Sequence, residues 1–290
     1  MIHPRRSLLF MPGANARALE KGHNLAADGL ILDLEDSVGP EDKPKAREQI
    51  KAALASDGYG RRELAVRINS LGTEWFAEDI QAMATAGMHA IVVPKVDSAA
   101  QIQQVISALD AAGSPADLPV WAMIETPLGV LNVAAIAGSH PRVRALVVGL
   151  EDLSKETRIR HRPDRLGFLP VLTQCVIAAR AYGLDILDTV YPDFRDEQGF
   201  AAVCEQSLDL GFDGKTLIHP NQIETANRVF SPDEKTVAAA REIIAAWDAA
   251  RAAGKGITVL NGRMVEHLHV AEARRVLALH EAITRAETSA

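Results

Sequence analysis

Two carboxylates stand where apolar runs stop. Glu125 closes Val120-Trp-Ala-Met-Ile-Glu-Thr-Pro127, and Asp152 closes Ala145-Leu-Val-Val-Gly-Leu-Glu-Asp152. Each run reads as a buried strand that ends on an acid. In a parallel β/α architecture the strands share one direction, so acids at two strand ends share one rim, the rim on which metals and substrates are held. Such a pair suits Mg²⁺ or Mn²⁺, hard cations that keep several waters and take one or two protein carboxylates plus substrate oxygens. The competing reading pairs Glu125 with Lys95 and makes Asp152 a cap of the helix that follows.

Arg67, in Val66-Arg-Ile-Asn69, is flanked by apolar positions and is expected at the same rim. Its rigid fork matches a carboxylate bidentately, which beside a metal points to a 2-oxo or 2-hydroxy acid substrate. An internal salt bridge to Glu35 is the alternative, and both hold if Glu35 orients Arg67. Asp33, Glu35 and Asp36 crowd one strand end; alternation turns Asp33 and Glu35 one way and Asp36 the other. Glu35 is the functional candidate of the three, Asp33 is structural and Asp36 caps a helix or loop. His219-Pro220 reads as a turn, and His267 and His269 as an exposed pair beside a helix. No Ser lies in a G-x-S-x-G elbow and neither Cys lies in a nucleophile motif, so covalent catalysis is not indicated.

The elements that must position these groups recur at near-regular spacing. Apolar, β-branched runs at 7–11, 29–34, 64–68, 90–96, 120–124, 145–148, 186–190 and 214–218 predict eight strands. Segments with helical spacing lie between them at 15–27, 41–55, 73–86, 99–112, 169–182 and 197–210. Eight strands alternating with helices predict a (β/α)8 TIM barrel over residues 1–230. A doubly wound sheet ranks second, because Pro12-Gly13-Ala14-Asn15 is no G-x-G-x-x-G turn. After Ile223 the strand signals stop. Helical segments at 232–253 and 264–286 predict a C-terminal helical extension over 231–290, long enough to reach a neighbouring subunit of a homo-oligomer.

Composition excludes several classes. An apolar fraction of 48% with 24% charged and 4% aromatic residues describes a folding enzyme rather than a disordered chain. A net charge of −7 without a basic block argues against nucleic acid. Cys175 and Cys204 are too few and too far apart for a disulfide framework or a zinc site. Arg5-Arg6 before an apolar run superficially looks like a secretion signal, but Pro12-Gly13 ends the run too early, and no stretch has the length of a membrane span. A cytoplasmic location without membrane contact is expected.

Six stretches carry a family likeness. Arg6-Ser-Leu-Leu-Phe-Met-Pro-Gly13, Leu32-Asp-Leu-Glu-Asp-Ser-Val38, Val66-Arg-Ile-Asn69, Ile124-Glu-Thr-Pro127, Gly149-Leu-Glu-Asp-Leu153 and Gly214-Lys-Thr-Leu-Ile-His-Pro220 resemble, in order, the citrate lyase β-subunit-like family. This is the group of citryl-, malyl- and citramalyl-CoA lyases within the HpcH/HpaI aldolase superfamily. The resemblance implies a Mg²⁺-dependent barrel, commonly trimeric or a dimer of trimers, that cleaves a 3-hydroxyacyl-CoA into acetyl-CoA and a 2-oxo acid. It implies Glu125 and Asp152 as metal ligands, Arg67 as the group holding the oxo acid carboxylate, and Phe10 and Lys21 as coenzyme A contacts. Lys21 reads equally as one charge at i,i+4 from Arg17. Gly262-Arg-Met-Val-Glu266 resembles the piece relatives extend into a neighbour's active site, with Glu266 where an Asp is usual. Three rival outcomes accompany this reading: a 2-oxo acid aldolase without CoA, a malyl-CoA thioesterase, and a citrate lyase subunit fed by an acyl-carrier protein.

Overall fold

The computed structural model describes residues 3–254 and 256–287. Eight parallel strands form a closed barrel: β1 (Ser7–Pro12), β2 (Gly29–Asp33), β3 (Glu63–Arg67), β4 (Ala90–Val93), β5 (Val120–Ile124), β6 (Val143–Val148), β7 (Asp185–Asp188) and β8 (Gly214–Leu217). Closure comes from the register Ser7↔Lys215, Leu8↔Thr216 and Leu9↔Leu217 between β1 and β8. The expected (β/α)8 architecture is therefore the observed one. The helices are α1 (Ala16–Gly22), α2 (Lys43–Leu54), α3 (Phe76–Met83), α4 (Ala99–Ala111), α5 (Pro127–Leu131), α6 (Val133–Ala137), α7 (Leu150–Thr157), α8 (Leu169–Ala181), α9 (Glu197–Leu210) and α10 (Ile223–Val229). α5, α6, α7 and α10 lie outside the predicted helical segments; α5 and α6, at five residues each, are too short to display a helical period.

Alternation along the strands sorts the side chains. Leu8, Ile31, Ala65, Val92, Trp121, Met123, Ala145, Val147 and Leu187 pack together inside the barrel. Two residues further along each strand the same face presents Phe10, Asp33, Arg67, Glu125 and Gly149. The upper interior layer is thus where the chemistry-bearing residues of four strands converge. At the opposite end Arg5 pairs with Glu63 at 2.7 Å and with Asp185, and its guanidinium lies 4.9 Å from the Trp121 ring. That ion cluster closes the floor.

Residues of the other parity face the helices. Asp188 follows the interior Leu187, points outward and accepts from Lys215 Nζ at 2.7 Å, Arg165 Nη1 at 2.7 Å and Ser207 Oγ of α9 at 2.6 Å. Burial pushes the Asp188 carboxyl up, but Lys215 and Arg165 outweigh it and hold the group at about 2. Lys215 is completely buried and committed to this cluster, so it is a structural cation and not a nucleophile for a carbonyl substrate.

Arg5–Arg228 forms one compact unit, and Val229 onward, with His3 and Pro4, forms a second. The second unit consists of α11 (Glu234–Ala252), β9 (Thr258–Leu260), β10 (Arg263–Val265) and α12 (His267–Glu287). Ala240, Ala273 and Val276 bury one helix–helix contact, and Trp247, Val265 and Val270 bury another. The hairpin β9–β10 corrects the expectation that strands end at residue 223. Asn261 and Gly262 carry φ of 50° and 76°, the positive pair that a two-residue type I′ turn requires. The Asn-Gly dipeptide was its sequence signal, beside strands of only three residues. Among the described residues no helix is long and apolar enough to cross a membrane.

Candidate active site

The mouth of the barrel holds a buried charge network. Arg67 is 8% exposed and grips Asp33 with two parallel bonds, Nε to Oδ1 at 2.6 Å and Nη2 to Oδ2 at 2.7 Å. Its Nη1 lies 2.9 Å from Glu35 Oε2, and its guanidinium stacks 4.7 Å from the Phe10 ring. Burial opposes charge on Arg67, yet Asp33 and then Glu35 hold it firmly protonated. Burial likewise raises Asp33, and Arg67 overcomes it to keep Asp33 below the usual carboxylate range. The fork expected to be free for a substrate is therefore occupied by Asp33, and the two N–H groups of Nη1 and the second of Nη2 are left to offer a ligand. The internal pair with Glu35 is present as well.

Glu35 is held from two sides. Its Oε1 accepts from Lys95 Nζ, while Oε2 has the Arg67 charge beside it but no N–H aimed at it. Burial pushes Glu35 above its ordinary range, against the pull of Arg67 and Lys95. A buried carboxylate oxygen without a donor is costly, and a group that supplies one restores the balance. The backbone of this segment is fixed from below: Lys43 Nζ donates to Leu34 O at 2.7 Å, Glu35 O at 2.9 Å and Asn69 Oδ1 at 2.7 Å. Asn69 is locked in turn by Asp79. Asp36 is exposed, 3.6 Å from Arg67 Nη1, and it caps nothing among the described residues, contrary to expectation.

Glu125 follows β5 directly and is 2% exposed. Its Oε1 accepts from the backbone N–H of Lys95 at 2.8 Å, so the suspected Glu125–Lys95 pair exists through the main chain while the ammonium goes to Glu35. Burial and then the neighbouring Glu35 push the Glu125 carboxyl up to about 8. Glu125 also lies against Gly149: a methyl group at residue 149 would sit 2.6 Å from Oε2 and 2.7 Å from Cβ of Glu125. Only a residue without a side chain leaves the carboxylate this position.

Asp152 is not a strand terminus. β6 ends at Val148, Gly149 is the N-cap of α7, and Asp152 is the third residue of that helix. α7 starts without a side-chain capping bond, which sets aside the cap reading. A side chain at the third helical position folds back toward the N-cap residue. Here the N-cap is the glycine on which Glu125 rests. Asp152 is half-buried, and the second oxygen of Glu125 takes no hydrogen bond from the described residues; both are oxygen donors of the type a hard cation takes. No group of three or more His, Cys, Asp or Glu suited to a metal occurs among the described residues.

The remaining candidates lie elsewhere. Lys21 is exposed in the last turn of α1, where a cation complements the helix C-terminus. Phe10 is half-buried beneath Arg67 and serves visibly as its platform. Glu266 belongs to the second unit, directly before α12, with its backbone N–H donating to His269 Nδ1 at 3.1 Å. His267 and His269 are exposed on α12, and His219 caps the turn at Pro220–Gln222. Sequence reasoning missed Gly149 and Lys43, and it undervalued Lys95. Lys95 has φ +51°, a backbone conformation that non-glycine residues rarely adopt and that clusters at functional sites. A cavity of about 320 Å³ opens beside it, with Glu35, Asn69 and Trp75 in the wall.

Comparison with known proteins agrees with this architecture. The family model described as HpcH/HpaI aldolase/citrate lyase matches residues 6–220. A (3S)-malyl-CoA thioesterase of Cereibacter sphaeroides is 49% identical over 281 residues, 97% of this chain and 96% of the relative. The citrate lyase subunit beta of Leuconostoc mesenteroides is 37% identical over 283 residues, covering 96% and 94%. Among solved structures, CitE of Mycobacterium tuberculosis in complex with magnesium, acetoacetate and coenzyme A superposes with a TM-score of 0.76 at 30% identity, covering 95% of this chain and 97% of that one. The chain belongs to the HpcH/HpaI aldolase/citrate lyase family and is an enzyme of that family.

Proposed function

We propose that this protein is a Mg²⁺-dependent enzyme acting on 3-hydroxyacyl-CoA esters, (3S)-malyl-CoA first among them, with hydrolysis of the thioester as its outcome. The observation that carries the site is Glu125, a buried interior carboxylate with one oxygen free of hydrogen bonds, seated on a glycine beside Arg67. Support for the substrate and outcome is the 49% identity to a (3S)-malyl-CoA thioesterase along nearly the whole of both chains.

Glu125 and Asp152 would hold the cation. Mg²⁺ or Mn²⁺ held there would supply positive charge to polarise a carbonyl oxygen. Arg67, immobilised by Asp33 and Phe10, offers its remaining N–H groups to the terminal carboxylate of the acyl chain. Asp33 and Glu35 keep that guanidinium from following the ligand, so the orientation is set before binding. Glu266, delivered from a neighbouring copy in a trimer or dimer of trimers, takes the proton of the attacking water. Phe10 and Lys21 would border the coenzyme A moiety.

The second reading is carbon–carbon cleavage to acetyl-CoA and a 2-oxo acid, favoured by the 37% identity to a citrate lyase β subunit. In that route Glu266 gives a proton to the departing acetyl-CoA enolate instead. The deciding experiment incubates the protein with Mg²⁺ and (3S)-malyl-CoA and follows both product pairs. Free CoA thiol appearing with malate in equal amounts supports hydrolysis; acetyl-CoA with glyoxylate supports cleavage. Turnover of neither kind refutes the malyl-CoA assignment, and silence on citryl- and citramalyl-CoA as well refutes the CoA-ester reading and leaves the aldolase and acyl-carrier routes. Mixing inactive Arg67→Ala and Glu266→Gln proteins tests the shared site, since active mixed oligomers form only if Glu266 acts across subunits.

A further inference from the structure

We propose that Lys95 is the positioning residue of this site, a single amino acid that aims both buried acids: its main chain aims Glu125 and its side chain aims Glu35. The inference rests on the metal reading of Glu125 given above. Lys95 alone, among the described residues, bonds both carboxylates, through its backbone N–H to Glu125 Oε1 at 2.8 Å and through Nζ to Glu35 Oε1. Doing both requires the left-handed backbone at φ +51°, set between Pro94, which has no N–H, and Val96, whose N–H returns to Met123 O at 3.3 Å. A lysine held in the left-handed region just past the end of a strand is retained only where the surroundings over-determine it. Its side chain is one third exposed and faces the cavity at the barrel mouth, so solubility or core packing does not explain it.

The two roles separate by substitution. Lys95→Gly and Lys95→Met keep the backbone N–H and remove the ammonium. Lys95→Val removes the ammonium and, being β-branched, also disfavours the left-handed conformation. Mn²⁺ binding is read by electron paramagnetic resonance without substrate, and kcat and KM are read separately with (3S)-malyl-CoA.

The expected pattern is Mn²⁺ affinity near wild type in Lys95→Gly and Lys95→Met, with an affinity loss on the order of tenfold in Lys95→Val. All three variants should lose kcat by roughly tenfold to a hundredfold because Glu35 and Arg67 are no longer braced, and Lys95→Arg should recover part of it. A purely structural lysine would lower the melting temperature in every variant without dividing the two readouts.

Wild-type Mn²⁺ affinity in a folded Lys95→Val protein, or wild-type kcat in Lys95→Met, overturns the assignment. Glu125→Gln is the control. If that variant binds Mn²⁺ normally, the metal reading itself fails and the Glu125 half of the proposal falls with it. If it loses binding while Lys95→Val does not, only the role given to Lys95 falls.

Discussion

Replacing Gly149 by alanine tests the site at the atom on which it depends. The backbone there is extended, φ −118° and ψ 99°, so alanine adds no conformational strain. What it adds is one methyl group 2.6 Å from Glu125 Oε2 and 2.7 Å from Glu125 Cβ. The second contact is with the root of the side chain, which cannot swing away without moving the end of β5. Overpacking of this kind costs about 1–3 kcal/mol. If the strain is relieved by displacing the carboxylate, it emerges as cation affinity, roughly fivefold to 150-fold weaker at about 1.4 kcal/mol per decade. If Glu125 stays, it emerges as stability. The assay is therefore Mn²⁺ titration and thermal melting on the same Gly149→Ala preparation. Gly39→Ala serves as the control, because nothing lies within 4 Å of its Cβ position and its φ is −65°. Unchanged affinity together with unchanged melting would refute the placement of Glu125 against this glycine, and with it the metal site.

Other outcomes follow from the same structure. Arg67→Ala strands Asp33 and Glu35 in a buried layer and removes the substrate contact, so it should cost about 3–5 kcal/mol of stability and a hundredfold or more in kcat/KM, measured by denaturant melts and steady-state kinetics. Asp188 is held at about 2, below its ordinary 3.8, so it contributes stability above pH 4 that disappears as pH falls toward 2. The amount is about 2 kcal/mol, readable as the difference between urea melts at pH 5 and near pH 2, and Asp188→Asn should lack that acid limb. Chelation should abolish turnover, with Mg²⁺ or Mn²⁺ restoring it. Glu125→Gln should raise the Mg²⁺ concentration for half-maximal activity by at least roughly tenfold, as removal of one of two charged ligands demands.

Much of the scaffold was legible without coordinates. The run at 120–124 and the helix at 197–210 were placed to the residue, because β-branched apolar stretches and a complete helical period are properties of neighbouring residues. The rim acids were legible too, since a polar group after a buried strand has few places to go. Asp152 was misplaced into a strand because Gly149-Leu150 continues the apolar run; the turn into α7 is set by β6 pairing with β7 and by Leu150 N–H reaching Thr189 Oγ1 at 3.0 Å, a partner thirty-nine residues away.

Charged partners were the least legible part of the site. Strand-end spacing places Arg67, Asp33, Glu35 and Lys95 at one rim, but not which cation takes which anion. Register decides that. Pairing Asp33 with Arg67 across β2 and β3 brings the fork and the carboxylate side by side, while Glu35, two residues past Asp33, is left to the flank of Arg67 and to Lys95. Sequence alone therefore determined the alternation of strands and helices and the family of residues at the barrel mouth, because these follow from local hydrophobic period. Closure of the cylinder and the left-handed turn at Lys95 were decided by tertiary structure, as was the seating of Glu125 against Gly149. Each of these depends on atoms brought together from distant strands, and no local pattern encodes that distance.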